Sequence, residues 1–144
     1  MGEIRAKIRL ENTDDRTLFK KGLIAEREIR VREIEAVADT GAVMNVFPQD
    51  LIEDLGLAVT GREIVLLAND QKVELPTAGD FVITVAGRSW RTDCLVGPPG
   101  CEALIGQLVM ERLDLIADPR QRTLTVRPES PLRPTTKLKE LARR

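Results

Sequence analysis

The chain has 144 residues, with 22 basic and 23 acidic side chains for a net charge of −1, and no histidine. That length holds one domain with a real core and is short for two, and the near-neutral charge argues against general nucleic-acid binding. Without histidine, Ser-His-Asp and Cys-His catalysis, His-ligated zinc and an imidazole proton shuttle are excluded, which leaves carboxylates, lysines and cysteines for proton work. Apolar residues make up 42% of the chain but aromatics only 3%, so the core must be built from Val, Leu, Ile and Ala, a composition suited to a compact β-rich domain.

In chain order, Ile4 to Leu10 alternates apolar and charged residues, the period of a strand with one wet face. Glu11 to Asp15 reads as a turn, and Asp14 or Asp15 is placed to cap a short helix through Phe19 to Lys21, with Gly22 at its end. Residues up to about 30 are expected to form an N-terminal extension. Alternation resumes from Glu28 to Ala38 and delivers a carboxylate, Asp39, into a tight Thr40-Gly41 turn with apolar sequence on both sides. Pro48 then opens a helix over about 48–55, with Leu51, Ile52 and Leu55 as its apolar stripe and Gly56 as its stop.

Arg62 to Leu67 and Lys72 to Leu75 read as two strands, with Ala68, Asn69, Asp70 and Gln71 between them as a hairpin tip free of glycine. Phe81 to Ala86 and Ser89 to Val96 predict a second hairpin turning at Gly87-Arg88, in which Trp90 is a packing residue. Cys94 and Cys101 flank a Gly-Pro-Pro-Gly loop. Two thiolates without histidine make a poor metal site, so Cys94 is expected to be a buried thiol and no metal or cofactor is expected. A disulfide across the loop would need an oxidising compartment. The N-terminus has no apolar leader and no stretch is long enough to span a membrane, which predicts a cytoplasmic protein with reduced cysteines.

A second apolar run, Ala103-Leu104-Ile105, is closed by Gly106 and followed by a helical pattern over about 107–115 with apolar Leu108, Val109, Leu113 and Leu115. After a turn at Asp118 to Gln121, Thr123 to Val126 is the last strand of a domain expected over 1–127. Residues 128–144 then carry prolines and an excess of basic side chains, the pattern of a solvated tail.

Asp39-Thr40-Gly41-Ala42, followed far downstream by Leu104-Ile105-Gly106 and a short helix, resembles the retropepsin-like aspartic proteases, the group that includes the retroviral enzymes. The resemblance spans roughly residues 31–126. It implies a mainly β fold, a closed or partly open acid-protease β-barrel with two short helices, and a catalytic Asp39. It also implies supporting roles: Gly41 for the sharp turn, Thr40 for a hydrogen bond across a dimer, and Leu104, Ile105 and Gly106 packed beside the active loop. Ala42, in place of the serine of many two-lobed acid proteases, implies a less acidic working range. The 68–71 hairpin takes the place of the flap, and Met44, Val46, Leu67 and Ile105 become candidate walls of an apolar groove, with Asn45 a candidate polar contact.

Peptide hydrolysis by this route needs two carboxylates, and the chain carries one such motif, so the resemblance implies a homodimer in which two copies of Asp39 share one proton and activate a water. The substrate is then a polypeptide, with no nucleic acid or membrane as partner. Retroviral enzymes commonly place an acid after Asp-Thr-Gly-Ala and an arginine after the second glycine; Val43 and Gln107 stand there. Losing both together strands no charge. The alternative reading keeps the dimer without hydrolysis, as a peptide-binding or scaffold module. A weaker one has Asp39 capping a turn in a generic β-rich domain.

Overall fold

Alternation decides the first strand. In the computed structural model, which describes residues 3–141, Ile4, Ile8 and Leu10 of β1 (Ile4–Asn12) turn inward while Arg5 and Lys7 face water. The strand runs on to Asn12, whose side-chain oxygen accepts the Asp15 amide and caps α1 (Thr13–Lys20). The cap is thus Asn12, not Asp14 or Asp15. Asp15 is buried instead and takes both N–H groups of one face of Arg30, at 2.8 and 2.9 Å. A single 3₁₀ turn (Glu26–Glu28) precedes β2 (Val31–Ala38), which is shorter at its start than the sequence pattern suggests.

There follow β3 (Val46–Pro48), α2 (Gln49–Asp54), β4 (Ala58–Leu66), β5 (Lys72–Val85), β6 (Arg88–Gly97), β7 (Leu104–Ile105), α3 (Gln107–Arg112), β8 (Leu115–Asp118) and β9 (Thr123–Val126). Among the described residues the fold is mainly β with three α-helices: the two expected at about 48–55 and 107–115, and α1, where the sequence places a short helix through Phe19 to Lys21. Six strands close into a ring in the order β1-β2-β7-β3-β6-β5, because β1 pairs with β2 along one edge and with β5 along the other. Residues expected to form an N-terminal extension therefore supply the strand that closes the sheet. Strand β4 hangs outside the ring on β5 alone, and β8 and β9 form a separate two-stranded sheet.

Strand β5 joins two segments that the sequence pattern separates. Pro76 does not break it, because pairing with β6 begins only at Thr77, so that flank has no ladder for a proline to interrupt. The hairpin to β6 turns at Ala86 and Gly87, both with positive φ, one residue earlier than expected. Arg88 thereby lies in the strand, where it is 8% exposed and donates to the Leu113 and Asp114 carbonyls at 2.8 and 3.2 Å.

The interior of the ring holds Leu10, Phe47, Phe81, Ile83 and Ile105, all fully buried, with the Phe47 and Phe81 rings 5.6 Å apart. Trp90 packs against this cluster, and α2 and α3 cover it with Leu55, Val109, Met110 and Leu113. Helix α3 stops at Arg112 because Asp114 takes a left-handed conformation (φ 55°) and Leu115 pairs with Val126. Leu108, placed in the buried stripe by the pattern, is exposed, and Met110 is buried in its stead. Beyond β9, the chain is docked at its start: Ser130 is buried, its hydroxyl donates to the Asp114 carboxylate, and its carbonyl accepts from Arg88. Among the described residues, no helix is long and apolar enough to cross a membrane.

Candidate active site

Asp39 stands where β2 leaves the sheet. The strand's last two residues pair in parallel with β7, Val37 opposite Leu104 and Ala38 opposite Ile105, and the Asp39 amide continues the ladder by donating to the Ile105 carbonyl at 2.9 Å. The chain then turns sharply. The Gly41 amide donates to Asp39 Oδ1 at 2.9 Å and the Ala42 amide to the Asp39 carbonyl at 3.2 Å. Asp39 is half-buried while Thr40 and Gly41 are exposed, and no Lys or Arg pairs with its carboxylate among the described residues. Its Oδ2 is left for another donor.

The turn is held by the start of α3. A helix begins with amides that lack intrahelical partners, and Gly106, the residue before α3, has no side chain to satisfy them. The Asp39 loop does so instead. The Gln107 amide donates to the Ala42 carbonyl at 2.7 Å, the Leu108 amide to the Val43 carbonyl at 3.1 Å, and the Gly106 amide to Asn45 Oδ1 at 3.2 Å. Contact is so close that a Cβ on Gly106 would stand 2.6 Å from the Met44 carbonyl oxygen and 2.7 Å from that of Val43. Only glycine fits. Each motif singled out in the sequence completes the backbone hydrogen bonding of the other.

Asp39, Thr40, Gly41, Ala42, Leu104, Ile105 and Gly106 therefore come together, around a clasp of backbone bonds. The predicted groove residues divide. Ile105 has no exposed surface and belongs to the core, so it forms no wall. Asn45 is 3% exposed and points inward, so it supports the loop from below and is not a surface contact. Val46 lies in β3, half-buried between Leu95 of β6 and Leu104 of β7, and Met44 is half-buried beside it. Leu67, Ala68, Asn69 and Asp70 form the tip between β4 and β5, where the Leu67 amide donates to the Gln71 carbonyl at 2.8 Å and Asp70 takes the left-handed position (φ 65°) that glycine would otherwise fill. No hydrogen bond joins this tip to the Asp39 loop among the described residues.

An open depression of about 500 Å³ beside the loop is lined by Asp39, Thr40, Ile4, Val37, Leu104 and Ala117. In β6, burial pushes the Asp93 carboxyl up, with Asp80 and Glu63 adding to it, and pushes the Cys94 thiol up to about 12. Cys94 and Cys101 are both unpaired. Among the described residues, no group of three or more Cys, Asp or Glu is arranged to hold a metal ion. Sequence reasoning missed the structural part of Asn45; its signal was a carboxamide set among Val43, Met44, Val46 and Phe47, where an unpartnered amide would be costly. The chain matches no protein-family model and no curated protein sequence.

Proposed function

We propose that the chain is an aspartic endopeptidase of retropepsin-like barrel architecture that works as a symmetric homodimer, Asp39 of each copy supplying half of the catalytic pair. The observation that carries this reading is the clasp: the Asp-Thr-Gly loop and the Leu-Ile-Gly segment, distant in sequence, are fastened by the Asp39 to Ile105 and Gln107 to Ala42 bonds at 2.9 and 2.7 Å. This holds a half-buried carboxylate with one oxygen tied to its own turn and, among the described residues, no hydrogen bond to the other.

One carboxylate is half of the chemistry. Peptide hydrolysis through water needs a base and an acid, so the second must come from an identical chain. As in aspartic proteases generally, two like charges brought this close share a single proton. The ionised member takes a proton from the intervening water as its oxygen attacks the peptide carbonyl, and the protonated member gives its proton to the carbonyl oxygen. As the tetrahedral intermediate collapses and the C–N bond breaks, one of its hydroxyl protons passes to the ionised member while the amine leaves with the proton of the other, so the pair ends with the single proton it began with and no bond to the protein forms. In this reading the β4–β5 hairpin closes over an extended substrate, and Met44, Val46 and Leu67 contribute its apolar contacts.

Incubation of the full chain with an unfolded polypeptide across pH, beside Asp39→Asn, tests the assignment. Cleavage by the parent protein and none by the variant is expected; equal cleavage by both would refute it. Sedimentation should show a dimer at concentrations where cleavage is seen. A second reading, a dimer that binds peptides without hydrolysing them, draws on the glycine-free hairpin tip. Peptide binding that survives Asp39→Ala, with no cleavage by the parent at any pH, would favour it.

A further inference from the structure

We propose that Asn45 is the positioning residue of the Asp39 loop, its buried carboxamide tying the loop to the start of α3 and to β6 so that the carboxylate is presented in working geometry. The inference rests on the reading of Asp39 as half of a proteolytic pair. Asn45 sits in an apolar stretch and is 3% exposed, so its amide would destabilise the fold unless every polar atom found a partner. All of them do. Oδ1 accepts the Gly106 amide at 3.2 Å, Nδ2 donates to the Asp93 carbonyl at 3.2 Å, and the backbone carbonyl accepts the Leu95 amide at 2.9 Å.

One side chain thus joins three segments, and its partner Gly106 is 61 residues away in sequence. Gly106 is flanked by Ile105, whose carbonyl accepts from the Asp39 amide, and by Gln107, whose amide donates to the Ala42 carbonyl. A shift of Gly106 therefore moves both ends of the Asp39 turn. Asn45 acts through these bonds and does not touch the carboxylate. The site demands one acceptor and one donor at fixed places. Leucine supplies neither. A protonated aspartic acid supplies both, whereas an ionised one accepts only and would set its charge against the Asp93 carbonyl.

The experiment compares full-length parent, Asn45→Leu, Asn45→Asp and Asp39→Asn by amide hydrogen exchange and by kcat and KM against pH, below each protein's unfolding temperature. In Asn45→Leu the amides of Asp39, Gly106 and Gln107 should exchange about tenfold faster, as for one lost hydrogen bond, while those of Leu10 and Ile83 hold. Its kcat should fall about tenfold or more with KM within about threefold. Asn45→Asp should recover kcat at acidic pH and lose it as pH rises, adding a titration step absent from the parent.

A merely structural role would loosen all amides together and leave the pH profile unmoved. Unchanged exchange at the three loop amides overturns the inference, as does loosened exchange with parental kcat. If Asn45→Leu does not fold, the same comparison is made within Asn45→Asp across pH. If parent and Asp39→Asn are equally inactive, the proteolytic reading fails, and exchange alone decides whether Asn45 holds the loop.

Discussion

Replacing Gly106 by alanine isolates the clasp between the two motifs. Gly106 has φ −104° and ψ −177°, extended backbone that any residue adopts, so the substitution carries no conformational penalty of its own. The whole effect is steric. The new methyl carbon would stand 2.6 Å from the Met44 carbonyl oxygen, 2.7 Å from the Val43 carbonyl oxygen and 2.8 Å from the Met44 carbonyl carbon, all backbone atoms with no rotamer to escape into. Overpacking of this kind costs about 1–3 kcal/mol. Relief requires the loop to back away from α3, which gives up the Gln107 to Ala42 and Leu108 to Val43 hydrogen bonds at about 1 kcal/mol each. The total, about 3–5 kcal/mol, is a large part of the ~5–15 kcal/mol that holds a domain of this size together.

Urea unfolding followed by circular dichroism reads this directly. At a slope of ~2 kcal/mol per molar urea, the midpoint should fall by about 2 M. Gly100→Ala is the control: Gly100 has φ +74° with open space around its Cα, so alanine there meets only left-handed backbone strain, about 1 kcal/mol. If Gly106→Ala proves no more destabilising than Gly100→Ala, the two motifs are not in the contact described, and the account of the site built on it is wrong.

Two further outcomes follow from the charged and thiol groups. Hydrogen bonds from Ser130 and then Arg127 lower the Asp114 carboxyl from 3.8 to about 2, so the folded state binds its proton less readily than the unfolded chain. Its stabilisation is therefore complete above 3.8 and lost as pH falls through about 2; urea midpoints of Asp114→Asn should decline less steeply over that window than those of the parent, and parallel declines would contradict the docking of Ser130. Cys94 is fully buried with its thiol near 12, whereas Cys101 is partly exposed. Mass-spectrometric footprinting with a thiol reagent should modify Cys101 first and Cys94 only at the rate of unfolding; the reverse order would refute the placement of both.

Local patterns were legible in the chain before any fold was known. Alternation marked β1 and β2, Pro48 and Gly56 bracketed α2, and the Asp-Thr-Gly and Leu-Ile-Gly segments announced a turn and a buried strand end, because such signals are written within a few neighbouring residues. Boundaries failed where a distant partner decided them: Asn12 caps α1 because Asp15 is claimed by Arg30, Arg88 enters β6 because three carbonyls, two just past α3 and one in the C-terminal segment, await it, and α3 ends early because Leu115 finds Val126. The sequence by itself determined a mainly β chain without histidine chemistry and with an acid, Asp39, in a tight turn between apolar segments. Only the tertiary structure decided that β1 closes the ring, that Asn45 faces inward and that loop carbonyls satisfy the first amides of α3. Those arrangements are pairings between segments dozens of residues apart, and no local period encodes them.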